Sequence, residues 1–202
     1  MIAERLAVPS PRRMTEEEFD AWRDEETRAE FVDGEVIPMA AVSLIHLRVT
    51  RFLNSLLERY LEEHSTGELL GPEFEVRLRA GLRRVPDLLY LAHENGQRLT
   101  GQRVEGPPDC AWEVVSPDSI ERDWREKYLE YEAAGVREYW VIAPGDRIAR
   151  LYRLVEGRYV TVPERDGRLE SEVIHGFWLM TEWLCQDPLP NVRDCLRELG
   201  AV

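Results

Sequence analysis

Two strand-like segments of the sequence are apolar except for one acidic residue each, and these two acids constrain the fold most. Residues 84–91 contain Asp87, and residues 110–117 contain Glu113. A carboxylate in an apolar strand loses hydration when the strand packs, so it needs a hydrogen bond, a cation or a metal ion as compensation. The fold must therefore place a compensating partner beside each of these acids.

The length of the chain is that of one ordinary domain. Its 202 residues are 44% hydrophobic, which is enough for a packed core. We predict a loose N-terminal leader at residues 1–14 and a single domain at residues 15–202. The three cysteines form no Cys-x-x-Cys pair. No window approaches the roughly 18 apolar residues of a membrane span, so we expect a cytoplasmic protein without a membrane partner.

The charge balance opposes nucleic-acid binding by the surface as a whole. The net charge is −13, from 39 acidic and 26 basic residues. One local cluster of arginines precedes Asp87 and consists of Arg77, Arg79, Arg83 and Arg84. This cluster fits either a polyanion bound beside an acidic site or a solvated strand edge protected by charge.

The spacing of apolar residues predicts four helical segments and a larger number of strands. Helices are expected to begin near Thr15 and to cover residues 43–64, 119–134 and 181–199. Strands are expected at residues 29–37, 73–79, 84–91, 109–115, 136–143, 147–155, 158–163 and 169–174, with a hairpin turn at Asp33-Gly34.

The order of these elements indicates the fold class. Residues 109–143 form a strand, helix, strand unit whose two strands should be parallel, and the three strands after it should form an antiparallel meander. We therefore predict an α/β (α+β) protein. Its mixed β-sheet is flanked by helices and has additional antiparallel strands toward the C-terminus.

Carboxylates are the groups through which this sequence can support catalysis. It lacks Gly-x-Gly-x-x-Gly, a phosphate loop, Gly-x-Ser-x-Gly and a His-x-x-x-His pair. Asp87 and Glu113 lie on predicted neighbouring strands and can share one hard cation such as Mg²⁺ or Mn²⁺. Such an ion acidifies a bound water and neutralises phosphate charge, which favours phosphodiester hydrolysis. For either acid alone, the alternative is capping a turn or pairing with Arg84.

An ordered series of motifs gives the sequence a resemblance to a known family. Pro86-Asp87 followed by Glu113-Val114-Val115 resembles the bipartite motif of the PD-(D/E)XK nuclease superfamily, whose core is a mixed sheet flanked by helices. Over roughly residues 15–155 the chain is similar to a bacterial restriction-endonuclease-like family, long known only as a domain of unknown function. The landmarks are residues 30–34, His46, residues 85–87, residues 113–117, Asp123, Lys127, Tyr131 and residues 135–140.

The resemblance implies roles for particular residues. Asp87 and Glu113 would be metal ligands together with the main-chain carbonyl of Val114, and Glu30 would complete the site. The implied cofactor is Mg²⁺ or Mn²⁺, and the implied partner is DNA. Candidate substrate-binding residues are Arg77, Arg79, Arg84 and His46. For His46, a surface or capping role at the start of its helix is the alternative.

The sequence departs from the superfamily motif at one position. Val115 stands where the motif has a lysine that orients the attacking water and stabilises charge in the transition state. Lys127, four residues after Asp123 on the same helical face, is the best candidate to replace it. The alternative for Lys127 is a surface ion pair with Asp123.

Three hypotheses for the function follow from these residues. The leading one is a metal-dependent endonuclease that hydrolyses DNA phosphodiester bonds. The second is a non-catalytic nucleic-acid or protein-binding module that has kept the fold, and the third is a metal-dependent nucleotide phosphatase. We also expect a homodimer or higher homo-oligomer, because cutting both strands commonly needs two sites and the strands after Pro144 offer edges for pairing.

Overall fold

A computed structural model describes residues 13–24, 27–39, 41–72, 74–115 and 125–201. The α-helices are α1 (Glu16–Trp22), α2 (Leu44–Glu63), α3 (Lys127–Ala134) and α4 (Val192–Glu198). The strands are β1 (Ala29–Val32), β2 (Glu35–Pro38), β3 (Gly67–Leu70), β4 (Glu75–Arg79), β5 (Leu82–Arg84), β6 (Leu88–Ala92), β7 (Arg103–Glu105), β8 (Cys110–Val114), β9 (Glu138–Ala143), β10 (Ile148–Val155), β11 (Arg158–Thr161), β12 (Arg168–Glu170) and β13 (Trp178–Met180).

The strands divide between two main sheets. The first sheet has the order β2-β1-β5-β4-β7, and the second has the order β11-β10-β9-β8-β6-β3. In the second sheet β8 and β9 are parallel neighbours, as predicted for the strand, helix, strand unit, and their connection contains α3. The other pairs in this sheet are antiparallel. The predicted fold class, a mixed β structure flanked by helices with antiparallel strands toward the C-terminus, is confirmed.

The second sheet is the central layer of the molecule, because apolar groups cover both of its faces. Leu53 and Leu56 of α2 pack with Trp112 and Trp140 on one face. On the other face, buried residues of the first sheet and Tyr131 of α3 share a cluster with side chains of β6, β8 and β9. Alternate residues of β8 therefore point toward α2 and toward the first sheet.

The helix predicted at residues 43–64 is confirmed as α2. Its first turn is capped by Ser43, whose Oγ accepts a hydrogen bond from the backbone N–H of His46 at 3.2 Å. The hairpin predicted at Asp33-Gly34 is also confirmed, since β1 and β2 pair and both turn residues have positive φ, 45° and 95°.

The chain crosses between the two sheets at residues 85–87, where a single strand was predicted. β5 ends at Arg84 in the first sheet, and β6 begins at Leu88 in the second. Pro86 has no N–H to donate, so the ladder of hydrogen bonds breaks there. Asp87 consequently lies in the crossing segment and not inside a strand.

The C-terminal region differs from the sequence prediction in two respects. The strand expected at residues 169–174 ends at Glu170 and pairs with β13 in a separate small sheet, so the meander stops at β11. The helix expected at residues 181–199 is divided into a 3₁₀-helix (Thr181–Cys185) and α4. Pro188 and Pro190 lie between them and cannot continue a helix.

Some predictions fall on residues that the structure does not describe. They are most of the leader at residues 1–14 and the first part of the helix expected at residues 119–134, which includes Asp123. The described part of that helix is α3, which ends at Gly135 in the left-handed conformation that glycine favours. None of the described helices is long and apolar enough to cross a membrane.

The packing of α2 on the central sheet predicts a large stability difference between two leucines of this helix. Leu56→Ala should lower the free energy of unfolding by about 2–5 kcal/mol, because Leu56 is fully buried and leaves a cavity. Leu47→Ala, a change of the same chemistry at a side chain that is 55% exposed, should change it by less than about 0.5 kcal/mol. Urea denaturation of both variants measures the difference, and equal losses would contradict this packing.

Candidate active site

The two acids found in the sequence lie close together in the register at one end of the central sheet. Leu88 of β6 pairs with Trp112 of β8, and the same register places Asp87 opposite Glu113. The backbone N–H of Val114 donates a hydrogen bond to Asp87 Oδ2 at 2.7 Å. This bond holds the Asp87 carboxylate beside the end of β8. The sequence prediction placed both acids on neighbouring strands. Glu113 does lie on β8, whereas Asp87 lies in the segment directly before β6.

The first turn of α2 supplies the second contact of Asp87. His46 Nε2 lies 3.1 Å from Asp87 Oδ1, and the imidazole is buried. His46 Nδ1 is also buried and has no hydrogen-bond partner within the described part of the chain. Because the serine cap fixes the start of α2, the imidazole is held against the carboxylate. The structure thus brings His46 to the site.

Glu113 points away from α2 into the space between the two sheets and α3. Its Oε1 lies 2.8 Å from Lys127 Nζ and accepts a hydrogen bond from the Tyr131 hydroxyl at 3.0 Å. Lys127 and Tyr131 are four residues apart, so they share one face of α3. Burial, followed by the charge of Glu113, raises the pKa of Tyr131 well above its usual value, so its hydroxyl remains a donor.

Glu30 of β1 completes this group of charges from the first sheet. Its Oε1 lies 3.4 Å from Lys127 Nζ and accepts a hydrogen bond from the backbone N–H of Val85 at 3.2 Å. Burial by itself would raise the pKa of Glu30, but the charges of Lys127 and Arg84 outweigh it and lower the pKa. Glu30 is therefore an ionised carboxylate inside the protein.

Arg84, the last residue of β5, lies between Glu30 and Glu130 and is fully buried. It donates to Glu30 Oε2 at 2.7 Å and to both oxygens of Glu130 at 2.7 and 2.8 Å. With its donors directed at two carboxylates and no exposed surface, Arg84 has a structural role here. This placement does not support the prediction that Arg84 contacts substrate.

The other arginines of the predicted basic cluster are neutralised by carboxylates of the same chain. Arg77 donates to both oxygens of Glu16 at 2.9 and 2.8 Å, and Arg79 donates to both oxygens of Asp33. The hydrogen bond from Arg77 contributes most to lowering the pKa of Glu16 to about 2. These pairs tie α1 and the β1–β2 turn to the first sheet. Neither Arg77 nor Arg79 belongs to the group of charges around Glu113.

The donor set around Asp87 and Glu113 suits a hard divalent cation. Carboxylate oxygens are the ligands that Mg²⁺ and Mn²⁺ prefer. Within the described residues, no three His, Cys, Asp or Glu side chains are grouped closely enough to hold a metal ion. Asp87 and Glu113 could supply two carboxylate ligands to such an ion, with backbone oxygen and water as its other ligands.

Two features of the site were not assigned by sequence reasoning. Tyr131 was a landmark of the family but had no role, and Glu130 was not singled out. Both lie three or four residues after Lys127, so their common helical face was the available signal. Asp123, the alternative partner considered for Lys127, lies outside the described residues.

The fold and the site together define a class of protein. A mixed sheet flanked by helices carries Asp87 directly before β6, Glu113 on the neighbouring strand β8 and the buried Lys127 beside Glu113. This arrangement fits a restriction-endonuclease-like protein. Residues 16–182 match the model of the Uma2 family, described as "Putative restriction endonuclease". The chain belongs to this family, and the resemblance stated from its motifs is confirmed.

A solved structure supports the fold assignment. The chain is similar to a putative nuclease belonging to DUF820 from Anabaena variabilis ATCC 29413, with a TM-score of 0.71 and 18% sequence identity. The similarity covers 85% of this chain and 97% of that one. At this level of identity the comparison establishes a common fold. No curated protein matches the chain.

The buried contacts of Arg84 predict that it stabilises the fold far more than the neighbouring Arg79. Arg84→Met should lower the free energy of unfolding by about 3–5 kcal/mol, because it leaves Glu30 and Glu130 without their buried cation. Arg79→Met removes an exposed pair with Asp33 and should cost less than about 1 kcal/mol. Chemical denaturation at neutral pH measures both, and an unchanged Arg84→Met variant would contradict a structural role.

Proposed function

We propose that this protein is a metal-dependent endonuclease that hydrolyses phosphodiester bonds of DNA. The observation that carries the proposal is the position of Lys127, whose Nζ lies 2.8 Å from Glu113 Oε1. The superfamily motif has its lysine two residues after the acid, where this chain has Val115. A lysine from α3 reaches the same carboxylate, so the site has the cation that its sequence motif lacks.

Asp87, Glu113 and the main-chain carbonyl of Val114 would hold Mg²⁺ or Mn²⁺. When bound, the ion lowers the pKa of a coordinated water and neutralises charge on the phosphate. Asp87 is prepared for this role because Val114 and His46 fix its orientation from two sides. His46 acts in this proposal as a positioning residue for that carboxylate.

Lys127 would act on the phosphate and the attacking water. Attack of a water oxygen on phosphorus breaks the bond to the leaving oxygen and increases negative charge on the phosphate oxygens. A fixed ammonium group beside them stabilises this charge and can donate a hydrogen bond to the attacking water. Glu30 and Glu113 hold the ammonium group in place, because an oxygen of each carboxylate lies within 3.4 Å of Lys127 Nζ.

The proposed substrate gives a reason for self-association. One site of this kind cuts one strand of a duplex, so a double-strand cut calls for two sites. A homodimer with two-fold symmetry would supply them in the arrangement that matches the two-fold symmetry of the duplex backbone. Size-exclusion chromatography with light scattering, with and without duplex DNA, tests this part of the proposal.

The two acids should be indispensable for cleavage and dispensable for folding. Asp87→Asn and Glu113→Gln each keep a carbonyl oxygen as hydrogen-bond acceptor but lose the charge that holds a divalent cation. Each should lower the rate of DNA cleavage with Mg²⁺ or Mn²⁺ by at least about 100-fold. Asp194→Asn, which changes an exposed acid of α4, is the matched control and should cleave at the wild-type rate.

Cleavage by either purified variant at the wild-type rate would exclude this site. Circular dichroism should show the same fold in all three variants, so a lost activity can be assigned to the site. Product analysis with duplex DNA, RNA and mononucleotides distinguishes the proposal from a phosphatase. Release of phosphate from mononucleotides without DNA cleavage would overturn the proposed substrate.

Lys127 should affect cleavage and metal binding in opposite directions. Lys127→Met should slow cleavage by at least about 100-fold because the fixed ammonium group is lost. The same change should tighten Mg²⁺ binding, since two carboxylates no longer share a protein cation. Lys127→Arg is the control that keeps the positive charge. Titration calorimetry measures the affinity, and weaker Mg²⁺ binding by Lys127→Met would contradict the proposed arrangement.

A further inference from the structure

Among the cavities lined by described residues, three lie along α2, β10, β11 and β12. The largest has a volume of about 810 Å³ and lies between α2, the turn after β9 and the segment from Leu184 to Val192. The second, about 330 Å³, lies over the start of β10 and the end of β11. The third, about 190 Å³, lies between the end of β10 and β12.

The three cavities lie next to one another, because neighbouring cavities share residues of their walls. Arg147 lines the first and the second, and Val162 and Pro163 line the second and the third. We call this feature the arginine groove. It runs from the first turns of α2 across β10 to β12.

The charge of the arginine groove is opposite to that of the whole chain. Its walls contain seven arginines and four acidic residues, whereas the chain has 39 acidic and 26 basic residues. The arginines are Arg48, Arg51, Arg147, Arg150, Arg153, Arg165 and Arg168, and the acids are Asp187, Glu164, Glu170 and Glu172. A local excess of arginine on an acidic protein indicates an anionic partner.

Several of these arginines differ from those of the first sheet in having no tight carboxylate partner. Within the described residues, Arg51, Arg147 and Arg165 make no ion pair, and all three are exposed. Arg48 has one loose contact, 3.8 Å from Asp187. Their guanidinium donors therefore face solvent, where a ligand can reach them.

The guanidinium of Arg168 is held in place without being neutralised. Its central carbon lies 3.9 Å from the centre of the Trp178 ring, which is a cation–π contact. Its Nε is buried and has no hydrogen-bond partner among the described residues. Stacking fixes the plane of the guanidinium and leaves it available to an anion.

One end of the arginine groove adjoins the candidate active site. Leu44 and Ile45 line its first cavity, and the next residue of α2 is His46, which contacts Asp87. Pro144, also in the wall, follows β9 two residues after Ile142, the parallel partner of Val114. The groove therefore opens at the end of the sheet that carries Asp87 and Glu113.

We propose that the arginine groove binds the sugar-phosphate backbone of the DNA duplex that flanks the cleaved bond. This inference rests on the proposed function. Guanidinium groups bind phosphate oxygens through paired N–H donors, and each neutralised phosphate releases counterions. The exposed side chains of Leu44 and Ile45 suit contact with deoxyribose. The arginines assigned here are not those singled out in the sequence, which are occupied by carboxylates.

The test uses a triple variant that changes only arginines without an ion pair in the described part of the chain, so that no ion pair described above is lost. Arg51→Gln, Arg147→Gln and Arg165→Gln together should weaken binding of a fluorescent duplex of about 30 base pairs by about tenfold or more. The dependence of log affinity on log salt should become shallower by about 3, one for each phosphate contact. Fluorescence anisotropy without a catalytic divalent ion separates binding from cleavage.

Two further variants serve as controls. The triple change Arg59→Gln, Arg158→Gln and Arg197→Gln removes the same charge from exposed arginines outside the groove and should bind DNA as the wild type does. The triple change of Arg51, Arg147 and Arg165 to lysine keeps the charge and should restore most of the affinity. Equal weakening by the glutamine variants inside and outside the groove would overturn the assignment, as would wild-type affinity of the groove variant.

Cleavage kinetics distinguish failure of this inference from failure of the proposed function. With Mg²⁺, the groove variant should have a raised KM and an unchanged kcat, because these arginines contact the DNA at a distance from the bond that is cleaved. A wild-type protein that cleaves DNA, together with a groove variant of unchanged KM, would overturn only the inference. A wild-type protein that neither binds nor cleaves duplex DNA would overturn both. Displacement of the duplex by an equal charge of polyglutamate would point to an acidic protein partner and overturn the choice of DNA.

Discussion

The burial of four charged side chains is the constraint on which the structure depends most. Glu30, Arg84, Glu113 and Lys127 come from β1, β5, β8 and α3, and each is almost completely removed from water. Removing a charge from water costs several kcal/mol unless a partner of opposite sign compensates it. Both sheets and α3 must therefore dock together for the charges to be tolerated. The interactions that join these elements are the same ones that build the candidate site.

The segment that crosses between the sheets explains why the acids occupy different environments. Glu113 lies on a strand and faces the closed space between the sheets, where Lys127 and Tyr131 contact it. Asp87 follows the proline at the crossing and stays partly exposed, within reach of α2. One carboxylate is thus held by a cation and the other by a backbone N–H and an imidazole. Because of this difference, Asp87 is the more accessible of the two carboxylates to solvent.

Local patterns could be predicted from the sequence, whereas partners from distant parts of the chain could not. Neighbouring residues determine the apolar spacing of α2 and the Asp33-Gly34 hairpin, and the strand, helix, strand order predicts the parallel β8–β9 pair. The structure has all three. The pairing of Arg77 with Glu16, 61 positions away, depends on how α1 docks, and no periodicity carries that information. The arginine groove is assembled in the same way, from α2, the turn after β9 and the strands β10 to β12. No local sequence pattern marks its arginines as members of one group.

The order in which the site residues occur along the chain affects how the protein matures during synthesis. Glu30, Asp87 and Glu113 are translated before Lys127, and the β9 strand that pairs with β8 is translated later still. A growing chain that ends before α3 holds three carboxylates without the lysine that compensates two of them. The candidate site therefore becomes complete only after α3 and β9 have been synthesised.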